Sequence, residues 1–152
     1  MDLRDHKINY LRSGGTQGHI LDFRERGGPI LATHCLIRYT GRISGRTLIT
    51  PLFYGCIGGE VAVIASFLGS DRHPKWYLNL LGSERVDFQI ATQAYRATWR
   101  EAEGADRDAA WSVMDSNMPA FSHYQRRTER RFPVILMRPD EEIPVFSEAD
   151  LA

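Results

Sequence analysis

Ile30-Leu31-Ala32-Thr33-His34-Cys35-Leu36-Ile37-Arg38-Tyr39-Thr40, with the Gly41-Arg42-Ile43-Ser44-Gly45 that follows, is the stretch that decides the fold class. Its first part is apolar and rich in β-branched and aromatic side chains, which suit a pleated, buried strand. The two glycines bracket a turn, and strand character resumes from Leu48 to Ile57. The pattern predicts a long antiparallel hairpin. Gly58-Gly59 is a second tight-turn signal, and Val61-Ala62-Val63-Ile64-Ala65 reads as a further buried strand.

Working outward, Pro74 suits the first position of a short helix and Gly82 the position past its end, so a helix is expected over 74–81. Val86, Phe88 and Ile90 alternate with polar neighbours, as do Tyr95, Ala97 and Trp99, which predicts a second hairpin with its turn near Ala91 to Ala94. Helical spacing follows Gly104 through Ala110, Val113 and Met114. Another helix is expected from Phe121 to Arg130, and Pro133 opens a last strand over Val134 to Met137. Towards the N-terminus, Ile20, Leu21 and Phe23 before Gly27-Gly28-Pro29 fit a short helix over 19–26. Consecutive hairpins with few helices point to an antiparallel sheet curled into a small barrel, because closure removes exposed edges. The expected organisation is one domain over residues 1–139, with an N-terminal helical segment, and a loosely held acidic tail over 140–152.

Composition narrows the function classes. At 152 residues, with 43% hydrophobic and 25% charged residues, the chain can bury its own core and carries no apolar run near the ~20 residues of a membrane span. The stretch 1–10 lacks an apolar signal region, so a cytoplasmic protein is expected. Lys plus Arg and Asp plus Glu each total 19, which argues against general attraction to nucleic acid. The local distribution differs: no acidic residue falls between Arg26 and Gly59, where Arg38, Arg42 and Arg46 lie. That segment could hold an anion or could be a solvated basic edge. Cys35 and Cys56 have no metal-ligand spacing and the five histidines are scattered, so reduced thiols and no metal site are expected.

Several motifs resemble those of the deazaflavin-dependent nitroreductase and quinone reductase family. They are Gly41-Arg42-Ile43-Ser44-Gly45 with Pro51, then Ala65-Ser66, then Arg72-His73-Pro74-Lys75-Trp76-Tyr77-Leu78-Asn79-Leu80, and finally Tyr124-Gln125, Thr128, Arg130 and Pro133-Val134. The likeness runs over roughly residues 20 to 139. It implies a mainly β split barrel with short accessory helices, of the kind that also binds flavin mononucleotide, and a hydride-transferring oxidoreductase that uses coenzyme F420. The acceptor would be a small electron-poor molecule: a quinone, an activated alkene or a nitro compound. Related barrels pair through their sheets, so a homodimer is expected.

The resemblance also implies site residues. Arg42, Ser44, Gly45 and Arg46 would meet the cofactor's anionic tail, since forked guanidinium donors and turn N–H groups suit oxyanions. Pro51, Ala65, Ser66, Phe67, Arg72, Trp76 and Asn79 complete the expected cofactor set, Trp76 chiefly by packing. Tyr124 is the candidate proton donor or substrate-orienting group. Met118 and Phe121 stand where some nitro-reducing members have tyrosines. Ile43, Leu48 and Phe67 stand where basic residues are common. Flavin mononucleotide, needing one phosphate neutralised, is the alternative cofactor, and a carrier with an apolar pocket lined by Met118, Phe121 and Trp76 is the non-catalytic alternative. Arg126, Arg127, Arg130 and Arg131 read as a solvated helix face.

Overall fold

A computed structural model describes residues 2–151; Met1 and Ala152, the outer ends of the N-terminal stretch and the acidic tail, lie outside the described residues. The elements in chain order are α1 (Leu3–Arg12), β1 (Ile20–Leu21), β2 (Ala32–Thr40), β3 (Thr47–Phe53), β4 (Gly55–Ile57) and β5 (Glu60–Ile64). There follow α2 (Lys75–Leu80), β6 (Arg85–Ile90), β7 (Gln93–Glu101), α3 (Gly104–Asn117), α4 (Ala120–Gln125) and β8 (Val134–Ile143).

Strand pairing shows why the sheet must curl. The hydrogen-bonded order is β2-β6-β7-β8-β5-β4, with β3 on the other side of β2. The two ends of that order, β3 and β4, are separated in the chain by Tyr54 alone. A flat sheet of this order would place them many strand widths apart, at ~4.8 Å each. The sheet therefore rolls into a barrel, split where β3 and β4 do not pair.

Period-two alternation sorts the side chains. Cys35, Ile37, Val61, Val63, Val86, Phe88, Ala97, Ile135 and Met137 form one cluster, into which α2 inserts Trp76, Tyr77 and Leu80. Their neighbours Ala62, Ile64, Val134 and Leu136 point the other way, under Ala110 and Met114 of α3 and Phe121 of α4. Leu36 and Ile49 face out beneath Tyr10 and Leu11 of α1, together with Phe146. Strands covered on both faces account for uninterrupted apolar runs such as Val61 to Ala65.

Several expected elements differ. The helix foreseen over 19–26 is instead β1, paired with Thr33 and Ala32, and a 3-10 turn Arg24–Arg26 that ends at left-handed Gly27. The strand foreseen over 48–57 breaks at Tyr54 because its halves pair with β2 and β5 respectively. Pro74 is the extended cap of α2 rather than its first helical residue. α4 stops at Gln125, so residues 126–130 are not helical. The loose tail is also corrected: β8 continues to Ile143, Phe146 is 1% exposed, and Glu148 and Asp150 pair with Arg12 and Arg38. The boundary expected after residue 139 falls inside a strand. No described helix is long and apolar enough to cross a membrane.

Candidate functional site

The β2–β3 turn is built around its glycines. Gly41 N–H donates to the Arg46 carbonyl at 2.8 Å, Gly45 N–H donates to the Gly41 carbonyl at 2.9 Å, and Ser44 Oγ accepts from the Arg46 N–H at 3.1 Å. Gly45 sits at φ 70°, in the left-handed region, where a side chain would be strained. A Cβ on Gly41 would lie 2.6 Å from Ser44 Oγ. Ser44 is thus spent on the turn itself. What the turn presents outward is Arg42, Ile43 and Arg46, with Ile43 89% exposed.

Electrostatics distinguishes these arginines from half of the others. Arg12, Arg24, Arg38, Arg85, Arg96, Arg100 and Arg138 each have a carboxylate partner. Among the described residues, none pairs with Arg42, Arg46 or Arg72. The chain is neutral overall, yet no acidic residue falls between Arg26 and Gly59, so the edge at the turn is left cationic. A polar cleft of about 400 Å³ lies nearby between Arg38, Tyr39, Thr47 and Arg85. It attracts anions poorly, since Arg38 is already neutralised by Asp87 at 2.7 Å and Asp150 at 2.8 Å.

The second feature is the loop after β5. Ser66 is right-handed helical, and Phe67 and Leu68 then take φ of 44° and 56°, followed by Gly69 at 81°. Two non-glycine residues in succession at positive φ cost about 1–2 kcal/mol each. The strain leaves the N–H groups of Ser66, Phe67 and Leu68 without an acceptor among the described residues, and Phe67 and Leu68 half or more exposed. Successive free N–H groups at such a bend form a concave donor surface. The loop is closed off below by α4, since a Cβ on Gly69 would meet the Tyr124 carbonyl at 2.7 Å.

α2 joins the two features. At its C-terminal end, Asn79 Oδ1 accepts from both the N–H and Nη1 of Arg42 at 3.0 Å. Just before its N-terminal end, His73 Nδ1 lies 3.0 Å from Arg130 Nη1. The helix spans roughly 9 Å, so turn and loop lie within reach of one elongated ligand. Trp76 and Tyr77 bury the helix in the barrel, and Tyr77 OH donates to Glu101 at 2.6 Å. Burial and that acidic neighbour push the Tyr77 phenol up to about 12.

The residues foreseen as cofactor contacts divide clearly. Arg42, Arg46, Arg72, Ser66 and Phe67 are accessible around the turn and loop. Ser44 and Gly45 shape the turn. Pro51 is half-buried in β3, opposite Leu36. Trp76 is 6% exposed and serves packing. Asn79, 8% exposed, holds Arg42, although its Nδ2 makes no hydrogen bond among the described residues. Ala65 is corrected: it is wholly buried, its N–H donates to the Pro133 carbonyl and its own carbonyl accepts from Arg130. Nothing of it is left for a ligand.

Tyr124 is half-buried on α4, with the Arg127 guanidinium 5.5 Å from its ring centroid and its OH unbonded among the described residues. Met118 and Phe121 are 4% exposed and pack in the cluster under α3 and α4, whereas Trp76 packs in the other. The three do not share a pocket, which removes the basis for a carrier reading. Arg130 overturns its expected place on a solvated helix face: it lies past the end of α4 and bonds the ring of carbonyls around the Phe67 loop. Only its place in the Thr128, Arg130, Pro133 motif hinted at this.

The family model for F420H(2)-dependent quinone reductases matches residues 2–139. The chain belongs to this family. It is an F420-dependent oxidoreductase on the split barrel foreseen from the sequence. An F420H(2)-dependent quinone reductase of Mycobacterium tuberculosis is 29% identical over 138 residues, 89% of this chain and 88% of that protein. A solved F420-H2 dependent reductase is 31% identical with a TM-score of 0.65, covering 69% of this chain and 93% of its own. Another solved relative, a domain-swapped dimer, is 28% identical with a TM-score of 0.67, covering 89% and 96%.

Proposed function

We propose that this reductase holds coenzyme F420 between the Arg42–Arg46 turn and the Ser66–Leu68 loop, and passes a hydride to a quinone-type acceptor. The observation that carries the reading is the pairing, through one short helix, of an arginine turn without carboxylate partners and a loop with free N–H donors. The coenzyme's tail bears a phosphodiester and carboxylates, which Arg42, Arg46 and Arg72 would neutralise. Its ring has a carbonyl-bearing polar edge, which the N–H groups of Ser66 to Leu68 would bind.

When bound, the reduced coenzyme supplies the hydride; the chain's own residues position the reactants. Asn79 holds Arg42 in place. Phe67 and Leu68 give an apolar border that suits a flat, hydrophobic acceptor better than a polar one. Tyr124 OH, which has no partner among the described residues, is the group available to orient that acceptor or give it a proton. The dimeric relative favours a pair of copies in solution, and the free thiols of Cys35 and Cys56 favour the reducing cytoplasm.

The test is a fluorescence titration of the purified chain with coenzyme F420 and, separately, with flavin mononucleotide. Saturable binding of F420 and turnover of its reduced form with a soluble quinone are expected. Binding of flavin mononucleotide alone would transfer the site to that cofactor, and binding of neither would remove it.

A further inference from the structure

Arg130 is half-buried and spends all of its reach on one small region. Its Nε donates to the Ser70 carbonyl at 2.9 Å, Nη1 to the Ala65 carbonyl at 3.0 Å, and Nη2 to the Ser66 carbonyl at 2.7 Å. Nη1 also donates to His73 Nδ1 at 3.0 Å, and the guanidinium lies 4.7 Å from the Phe132 ring centroid. Those three carbonyls flank Phe67, Leu68 and Gly69 on both sides.

The anchor is itself anchored. Gln125 Nε2 donates to the Arg130 carbonyl at 2.8 Å, Gln125 Oε1 accepts from the Phe132 N–H at 3.1 Å, and buried Arg107 donates to the Phe132 carbonyl at 2.6 Å. The loop's own ties are few: Gly69 N–H to the Ser66 carbonyl and Ser70 N–H to the Phe67 carbonyl. Those two bonds, each a small net gain, do not outweigh two left-handed side-chain-bearing residues. The strained shape needs an outside hold.

We propose that Arg130 is a positioning residue that keeps the Ser66–Leu68 N–H groups aimed at the cofactor, with neutral His73 as the acceptor that completes its grip. This rests on the reading of that loop as ring-binding backbone. His73 must be unprotonated at Nδ1 to accept from Arg130. Protonation removes the acceptor and sets an imidazolium against a guanidinium. The groups facing His73 are Arg130 beyond α4, the Tyr77 ring of α2 at 4.9 Å and Glu101 at the end of β7, while Asp71 acts on Arg130. Burial first and Arg130 second lower the His73 pKa, against the pull of Glu101, so the ring is neutral at neutral pH.

Two variants test the proposal. Arg130→Lys keeps the charge but cannot bond three carbonyls and an imidazole at once. His73→Asn keeps an acceptor that does not titrate. Each is compared with the wild type by F420 titration between about pH 8 and about pH 5.5, a window in which carboxylates stay ionised. Amide exchange at Gly69 and Ser70 is followed without cofactor. Arg130→Lys should weaken binding by at least about tenfold and speed exchange at Gly69 and Ser70 while β6 and β7 amides stay protected. Wild-type affinity should fall toward the acid end, and His73→Asn should flatten that fall. Unchanged affinity and exchange in Arg130→Lys, or an unaltered pH profile in His73→Asn, would overturn the proposal. If the wild type binds no F420, the site reading falls, and loop exchange in Arg130→Lys alone then decides whether the grip is real.

Discussion

Asn79 Oδ1 takes two hydrogen bonds from Arg42, one from its N–H and one from its guanidinium, both at 3.0 Å. A side chain of α2 thereby fixes both the turn backbone and the direction of its first arginine. Asn79→Ala should weaken F420 binding by about 1–3 kcal/mol, because Arg42 loses its hold and its N–H loses a partner. Asn79→Asp separates shape from charge: it keeps the acceptor but neutralises Arg42, so the fold should stay as stable while F420 binding still falls. Thermal melts beside fluorescence titrations read both. Equal binding by the Asp variant would show that the charge of Arg42 is irrelevant.

Arg46 is exposed and has no carboxylate partner among the described residues, so its contribution to a polyanionic ligand is screened by salt. Arg46→Ala should weaken F420 binding by up to about 1.5 kcal/mol at low ionic strength and by less at high. The wild-type dependence of affinity on salt should therefore be steeper than the variant's. Parallel salt dependences would take Arg46 out of the site.

The C-terminal stretch is part of the fold's stability. Phe146 is 1% exposed, its N–H donates to Gln89 Oε1 at 2.8 Å, and the Arg38 guanidinium lies 4.3 Å from its ring centroid. Phe146→Ala should cost about 3–5 kcal/mol in urea unfolding, the range for a buried aromatic ring. A chain that unfolds at the wild-type midpoint would show that residues beyond β8 add nothing.

The parts of the fold that the sequence made legible are those with local causes. The Gly41–Gly45 and Gly58-Gly59 turns and the alternation through Val86, Phe88 and Ile90 each act within a few residues. α1 was not foreseen because the residues it buries are His6, Tyr10 and Leu11, with polar atoms where a helix signal expects aliphatic ones. The tail looked solvated because Asp140 to Glu142 are exposed; Glu141 and Glu142 are held by β7 pairing, with Glu141 near Arg96, and Asp140, at the register shift, lies near Arg85. At the site, the turn arginines carried a local signal through the missing acids. Arg130 carried only its place in the Thr128, Arg130, Pro133 motif, since its loop partners lie 57 to 65 residues away.

The buried histidines under α1 make stability depend on pH. His6 Nε2–H donates to the Gly18 carbonyl at 2.6 Å, which leaves Nδ1 buried without a partner among the described residues. His34 is 4% exposed, packs against the rings of His6, Phe23 and Phe53, and donates from Nδ1 to the Ala32 carbonyl at 3.3 Å. Burial lowers both pKa values, that of His34 to about 3, helped by the neighbouring His6. The unfolded chain therefore binds protons below about pH 6.5 that the folded chain refuses. Stability is full above that pH and is lost as the pH falls towards the folded values, by at most about 1.4 kcal/mol per pH unit for each histidine. Urea midpoints should drop between about pH 7.5 and pH 5, above the carboxylate range. His34→Phe, which keeps the ring and removes the titration, should show a shallower drop. A slope unchanged by that substitution would place the proton uptake elsewhere.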